Sequence, residues 1–190
     1  MTIFHWIILA AWLAFIVYWA IAAGSAKRNV AGPSWWTQIG VRFGIVVLVL
    51  IALRVPLVSH ELRAMQGYQN RSIVLGAVGA ALAVLGVGLA VLARTYLGRN
   101  WGMPMSHKED PELVTGGPYA LLRHPIYTGI TLMMLGSAIG GSIHWTLPLV
   151  AAVAYFVHSA RREEALMRAQ FPDAYPPYMR RTWMLIPFVL

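Results

Sequence analysis

Residues 116–129 read GGPYALLRHPIYTG and concentrate polar, aromatic and backbone-shaping residues in a largely apolar chain. Four side chains supply ring faces, hydroxyls and charged donors, namely Tyr119, Arg123, His124 and Tyr127. Pro118 and Pro125 stiffen the segment, and its glycines, including Gly129, permit a ligand to approach the backbone closely. These residue types predict a binding site. The alternative is an interfacial loop whose arginine contacts lipid phosphate.

A second group of charges, Arg161-Arg162-Glu163-Glu164, begins where the last apolar segment ends. If a helix continues through it, Glu163 and Glu164 point about 100° apart, so only one faces a given pocket. A glutamate facing a pocket could neutralise a cationic ligand, either an ammonium or a sulfonium. The alternative is a solvated, salt-bridged helical end.

Composition places the chain in a membrane and excludes several kinds of site. Of 190 residues, 58% are hydrophobic and 12% charged, against about 25% charged in soluble domains. There are no cysteines, and the six histidines are scattered without an HExxH motif, so we expect no metal. The phosphate-loop and GxGxxG patterns are also missing. We attribute the net charge of +8 to contact with membrane lipid rather than nucleic acid.

The hydrophobic pattern predicts an all-α integral membrane protein with about five transmembrane helices, at residues 3–23, 40–58, 73–93, 126–141 and 145–158. The last two are short, which favours tilted helices or a helical hairpin. Small residues recur at a spacing of four and predict close helix packing, in the pairs Gly76/Ala80, Gly79/Ala83, Gly86/Ala90 and Gly136/Gly140.

Basic residues predict an outside N-terminus and a multi-pass chain whose long polar segment (94–125) and tail (159–190) share the cytoplasmic face. We therefore predict a cofactor site formed at that face by the long loop and the C-terminal helix and tail. Residues 1–93 would supply three N-terminal transmembrane helices, and 94–190 a catalytic core. Pro172 and the Pro176-Pro177 pair are expected to break the tail.

Four motifs follow one another in the C-terminal half: LVTGGPYALLRHPIYTG at 113–129, EE at 163–164, FPDAYPPYMRR at 171–181 and IPF at 186–188. Together they resemble the isoprenylcysteine carboxyl methyltransferase family and its phospholipid methyltransferase relatives, in the form of a short, prokaryote-like member. The resemblance covers roughly residues 94–190. It implies an all-helical methyltransferase of the inner or plasma membrane that uses S-adenosyl-L-methionine without a Rossmann domain.

The resemblance also implies roles for individual residues. The cofactor pocket would be lined by Leu113, Val114, Tyr119, His124, Pro125, Ile126 and Tyr127. Glu163 would meet the amino group of the cofactor. Arg123 and Glu164 would be catalytic, Arg123 by steering a carboxylate or stabilising the loop and Glu164, or His124, as a base for an amine acceptor.

The implied acceptor is lipophilic or prenylated, and a carboxylate of the isoprenylcysteine type leads because it is already anionic and needs no base. Ser159 stands where eukaryotic members have a substrate-carboxylate arginine, and Arg161 or Arg162 could replace that arginine. Phospholipid amines and small thiols therefore stay open as acceptors. Two alternatives belong to other classes: an NADPH-dependent membrane reductase resembling the sterol reductases, and a non-catalytic protein that binds lipid or a partner.

Overall fold

The structure is a computed structural model that describes residues 2–22, 29–31, 72–98, 107–108 and 112–188. The predicted span at 40–58 lies outside these residues. The described helices, in chain order, are α1 (Ile3–Ala22), α2 (Ile73–Leu97), α3 (Pro125–Gly140), α4 (Thr146–Gln170) and α5 (Tyr175–Arg180). Two 3₁₀ turns, Gly117–Ala120 and Ile143–Trp145, precede α3 and α4. A short antiparallel pairing joins β1 (Asn29–Ala31) to β2 (His107–Lys108).

Three of the described helical segments are long and apolar enough to cross a membrane, namely Ile3–Ala22, Ile73–Leu97 and Ile143–Gln170. The helix α3 is apolar but shorter, with 16 residues. Large apolar side chains on α1, α2 and α4 are exposed, as expected of surfaces that contact lipid. The expectation of an all-α membrane protein is confirmed.

The closest helix packing, between α2 and α3, rests on glycines. A Cβ atom added to Gly79 would lie 2.4 Å from the backbone of Gly140, and one added to Gly86 would lie 2.5 Å from the carbonyl oxygen of Gly129. The two backbones therefore touch, and the small-residue spacing correctly predicted this contact. Gly129, which was expected to approach a ligand, instead packs against α2, so that expectation was wrong.

Replacing Gly136 by alanine is expected to destabilise the fold by about 1–3 kcal/mol, because its Cβ would lie 2.4 Å from the Gly79 carbonyl oxygen. Gly88→Ala is the matched control, since nothing lies within 4 Å of a Cβ at that position of α2. The control is expected to leave stability unchanged or slightly higher, because alanine is the better helix former. Thermal unfolding in detergent compares the two variants. Equal stability would contradict the packing described here.

A hydrogen bond and contacts of two aromatic rings hold α1 against α2, α3 and the 3₁₀ turn before α4. The Trp12 indole N–H donates to the Ser137 hydroxyl of α3 at 3.0 Å. Its ring stacks on Trp145, with centroids 5.3 Å apart and planes 17° from parallel. On α2, Gly76 leaves room for the Phe4 ring. The three helices therefore form one packed body.

Arg94 joins the ends of two helices. Its buried guanidinium donates to the carbonyl oxygen of Ala22, the last residue of α1, at 2.9 Å and to that of Gly98 at 2.6 Å. These carbonyl groups are the ones that a helix C-terminus leaves unpaired. The predicted third span ended at residue 93, whereas α2 continues to Leu97. Arg94 is thus a helical capping residue rather than the start of the polar loop.

The C-terminal third is more helical than predicted. The fifth span was expected to end at residue 158, but α4 continues to Gln170 and carries both glutamates with it. Pro176 and Pro177 do not break the tail, because they occupy the first turn of α5, where the missing N–H groups of proline cost nothing. The helix α5 thereby returns the chain towards the 3₁₀ turn at Gly117–Ala120.

Candidate functional site

The loop that precedes α3 is held in place by the tail. The backbone N–H groups of Arg123 and His124 donate to the carbonyl oxygens of Trp183 and Met184, at 2.8 Å and 3.1 Å. In return the Trp183 N–H donates to the Leu121 carbonyl oxygen at 3.0 Å. Leu122 and Trp183 therefore form a short parallel bridge. Two segments far apart in sequence build one backbone platform, from which the side chains of residues 123 and 124 project.

The two predicted catalytic residues, Arg123 and Glu164, bind each other. The Arg123 Nε donates to the Glu164 Oε1 at 2.6 Å, and the exposed fractions of the two side chains are 10% and 4%. The same guanidinium donates to the carbonyl oxygens of Met179, at 3.3 Å, and Thr182. All three acceptors lie on α4 or in the region of α5 and the tail. Arg123 therefore connects the loop, α4 and the tail.

His124 lies between the two glutamates. Its Nδ1 is 3.5 Å from Glu163 Oε2 and its Nε2 is 3.5 Å from Glu164 Oε1, distances at the outer limit of hydrogen bonding. We expected the helical spacing to allow only one glutamate to face a given pocket. In the structure His124 contacts both carboxylates, but only Glu163 is open to a ligand, with 25% of its side chain exposed against 4% for Glu164.

Three rings are stacked next to these carboxylates. The Tyr127 ring lies between His124 and Phe156, at centroid distances of 5.5 Å and 4.7 Å and within 9° of parallel to each. The Tyr127 hydroxyl donates to Glu163 Oε1 at 2.5 Å. This hydrogen bond fixes the position of the Glu163 carboxylate. The side chain is also 25% exposed, so the carboxylate is open to a ligand.

The residues just described, Arg123, His124, Tyr127, Phe156, Glu163 and Glu164, form the centre of one cluster of side chains. The other predicted pocket residues are buried to different extents. Pro125 is buried and opens α3, and Ile126 is half-buried in the same first turn. Tyr119 is buried in the 3₁₀ turn, and burial, followed by the neighbouring Tyr178, raises its pKa, so it keeps its phenolic proton. Leu113 and Val114 are half-buried in the irregular segment that leads to the turn.

Several residues of the cluster were not predicted as site residues. Phe156 covers one face of Tyr127, and the Tyr178 hydroxyl donates to the Tyr119 carbonyl oxygen at 2.7 Å. Ser159 is fully buried beside the Tyr127 hydroxyl. The spacing 156, 159, 163 on one helical face was the signal that could have grouped two of them with Glu163.

The charges around His124 favour its protonated form. Burial alone would lower the pKa of His124, but hydrogen bonding and the negative charges of Glu163 and Glu164 outweigh burial and raise it above its ordinary value. Within the described parts of the chain, no cluster of three or more histidine, aspartate or glutamate side chains is arranged to hold a metal ion.

The raised pKa of His124 predicts that stability falls as the pH increases. A protonated His124 stabilises the folded state fully below the unfolded pKa of about 6.5, and this contribution is lost as the pH rises through the higher folded pKa. Unfolding of the wild type in detergent should therefore require progressively less heat above about pH 6.5. The His124→Asn variant should lack this component. Parallel pH profiles for the two proteins would contradict it.

Comparison with known proteins identifies the family. Residues 74–174 match the model of the phospholipid methyltransferase family, which is more than half of the chain. The matched region contains most of α2, the loop before α3, the stacked rings and both glutamates. The chain belongs to the phospholipid methyltransferase family. The resemblance drawn from the four motifs is confirmed.

Three relatives show how far the similarity extends. The cobalt-zinc-cadmium resistance protein CzcN of Cupriavidus metallidurans is 36% identical over 108 residues, which are 56% of this chain and 48% of the relative. The nickel-cobalt-cadmium resistance protein NccN of Alcaligenes xylosoxydans xylosoxydans is 34% identical over 110 residues, 55% of this chain and 50% of the relative. The match thus spans about half the length of each. A probable protein-S-isoprenylcysteine O-methyltransferase of Oryza sativa subsp. indica is 24% identical over 191 residues, 97% of this chain and 96% of that protein.

Proposed function

We propose that this protein is an integral-membrane methyltransferase that uses S-adenosyl-L-methionine and methylates a lipophilic acceptor. The observation that carries the proposal is the partly exposed carboxylate of Glu163, fixed by Tyr127 beside a stack of aromatic rings. Membership of the phospholipid methyltransferase family supports it independently.

The residues of the cluster fit the chemical groups of this cofactor. S-adenosylmethionine carries an ammonium and a sulfonium, and both cations are stabilised by a carboxylate and by aromatic ring faces. Glu163 offers the carboxylate, at the edge of the stacked rings. When bound, the cofactor supplies an activated methyl group. The protein then orients the two reactants and excludes water from the site.

In this proposal the residues of the cluster divide into two groups. Glu163 binds the cofactor's amino group, while the cofactor is surrounded by Leu113, Val114, Tyr119, His124, Pro125, Ile126 and Tyr127. Arg123 and Glu164 act as a positioning pair, since the donor groups of Arg123 are directed to Glu164 and to two backbone carbonyls. The site opens on the cytoplasmic face, where the positive-inside pattern places the loop and the tail.

An apolar groove next to the cluster suits the lipophilic part of an acceptor. The groove has a volume of about 450 Å³ and is lined by two residues of α3 and four of α4, Thr131, Leu135, Leu149, Val150, Val153 and Ala154. Thr131 lies one turn after Tyr127, and Val153 lies about one turn before Phe156. The groove therefore continues along the same helix faces from the stacked rings. We propose that it holds the hydrocarbon chain of the acceptor.

The acceptor that we propose first is a carboxylate of the isoprenylcysteine type. The similarity to the rice relative over nearly its whole length supports this choice, as does the size of the groove. A carboxylate needs no base, which agrees with a cluster whose glutamates are already engaged by Tyr127, Arg123 and His124. A phospholipid amine would need a proton acceptor instead, a role that the favoured protonated form of His124 does not fill.

Two measurements test the proposal. Isothermal titration of the detergent-purified protein with S-adenosylhomocysteine should give saturable binding, and the absence of heat over a broad concentration range would contradict cofactor use. A methyl-transfer screen read by mass spectrometry then compares four acceptor classes: prenylcysteine carboxylates, phospholipid amines, small thiols and other lipophilic acids. Methyl esters of prenylcysteine are the expected product. Binding without transfer to any class would indicate a non-catalytic member of the family.

A further inference from the structure

The conformation of the candidate cofactor loop depends on residues far along the chain. Within the loop, the N–H groups of Tyr119, Leu121 and Leu122 donate only to carbonyl oxygens of the loop itself, those of Gly116 and Pro118. The other backbone partners of residues 119–124 among the described residues are Thr128, at the His124 carbonyl oxygen, and residues 178, 183 and 184 of α5 and the tail. The loop therefore has little means of holding its own shape.

Tyr178 makes the contact nearest the middle of this loop. Its side chain is buried, with 3% exposed, and its hydroxyl donates to the Tyr119 carbonyl oxygen at 2.7 Å. Tyr119 lies in the 3₁₀ turn, two residues before the segment Leu121–His124 that pairs with the tail. The hydroxyl thus anchors the half of the loop that the backbone pairing does not reach.

Neither partner of this hydrogen bond titrates near neutral pH. Burial raises the pKa of Tyr178 to about 12, so its hydroxyl keeps the proton that it donates. The acceptor is a backbone carbonyl, which does not titrate. The contact is therefore a permanent feature of the folded site rather than a switch.

We propose that Tyr178 is a positioning residue for cofactor binding, which acts by holding the Tyr119 carbonyl and with it the loop up to His124. This inference rests on the function proposed above. Tyr178 does not touch the cofactor in this proposal. It limits the number of conformations available to the loop before the cofactor binds, so that less ordering is required on binding.

The test compares Tyr178→Phe with Tyr175→Phe. Both tyrosines lie on α5 and both are 3% exposed, but the Tyr175 hydroxyl makes no hydrogen bond to a described residue. Each substitution removes one oxygen and keeps the ring. We expect Tyr178→Phe to weaken S-adenosylhomocysteine binding by roughly 2- to 10-fold, the size of one hydrogen bond, and to raise the cofactor KM while leaving kcat within about twofold. Tyr175→Phe should bind like the wild type.

A second measurement separates this inference from the proposed function. Hydrogen exchange of the ligand-free protein should show faster exchange at the loop amides of Tyr119, Leu121 and Leu122 in Tyr178→Phe, and no change there in Tyr175→Phe. If the wild type bound no S-adenosylhomocysteine, the proposed function would fail while this result could still support the positioning role. Unchanged loop exchange in Tyr178→Phe, or an equal loss of affinity in both variants, would overturn the inference.

Discussion

Replacing Glu163 by glutamine is expected to weaken the binding of S-adenosylhomocysteine by about 10- to 100-fold, the usual effect of removing a hydrogen bond to a charged group. Glutamine keeps a side-chain oxygen that can accept from the Tyr127 hydroxyl, so the stack of rings should remain in place. What is lost is the negative charge that we propose binds the cofactor's ammonium. Isothermal titration in detergent measures the change directly.

The control for this variant is Asp173→Asn, which also exchanges one carboxylate for an amide. Asp173 is exposed in the turn between α4 and α5 and makes no hydrogen bond to a described residue, so its substitution should leave the affinity within about twofold of the wild type. Asp173→Asn should unfold at the wild-type temperature because Asp173 is exposed, whereas Glu163→Gln should unfold at a slightly lower temperature because His124 loses the charge of one neighbouring carboxylate. Wild-type affinity in Glu163→Gln would remove Glu163 from the cofactor site.

Replacing Arg123 by methionine is expected to destabilise the protein by about 3–5 kcal/mol, the cost of leaving one member of a buried ion pair without its partner. Glu164 is only 4% exposed and would lose its 2.6 Å contact, and the carbonyl oxygens of Met179 and Thr182 would lose their donor as well. The free energy of unfolding in detergent should therefore fall, and cofactor binding should fall with it.

Two further variants give this prediction its controls. Arg161→Met removes an exposed arginine from α4 and is expected to change stability by no more than about 0.5 kcal/mol. The double variant Arg123→Met/Glu164→Met removes both charges, so it should be more stable than Arg123→Met alone. If Arg123→Met were as stable as Arg161→Met, the connection that we assign to Arg123 would be wrong.

The helix packing and the two groups of chemistry-bearing residues could be predicted from the sequence because both leave local patterns. Small residues recur four positions apart along α2, as at Gly79 and Ala83, and along α3, as at Gly136 and Gly140. Helix geometry alone therefore places them on one face of each helix. Glu163 and Glu164 follow an apolar segment without an intervening glycine or proline, and α4 indeed continues through them. The resemblance to the methyltransferase family then predicted that the glutamates and the loop at residues 113–129 form one site.

The connections between these parts were not predictable, because they join irregular segments with no periodic signal. Nothing in the sequence near Trp183 indicates that its backbone pairs with Leu121. Arg94 was assigned to a loop because its charge ended an apolar run, whereas burial against two helix ends explains its place in α2. Pro176 was assigned as a helix breaker because its position within a first turn depends on where α5 begins.

The pairing of the loop with the tail has a consequence for the order in which the protein can be completed during synthesis. Tyr119 and its partner Tyr178 are 59 residues apart, and the intervening chain contains both α3 and α4. These apolar helices can enter the membrane as soon as they leave the ribosome, but the loop must wait for α5 and Trp183 to be made. A nascent chain that stopped after α4 would already carry Glu163 and His124. It would still lack the tail, whose backbone pairs with the loop that carries His124.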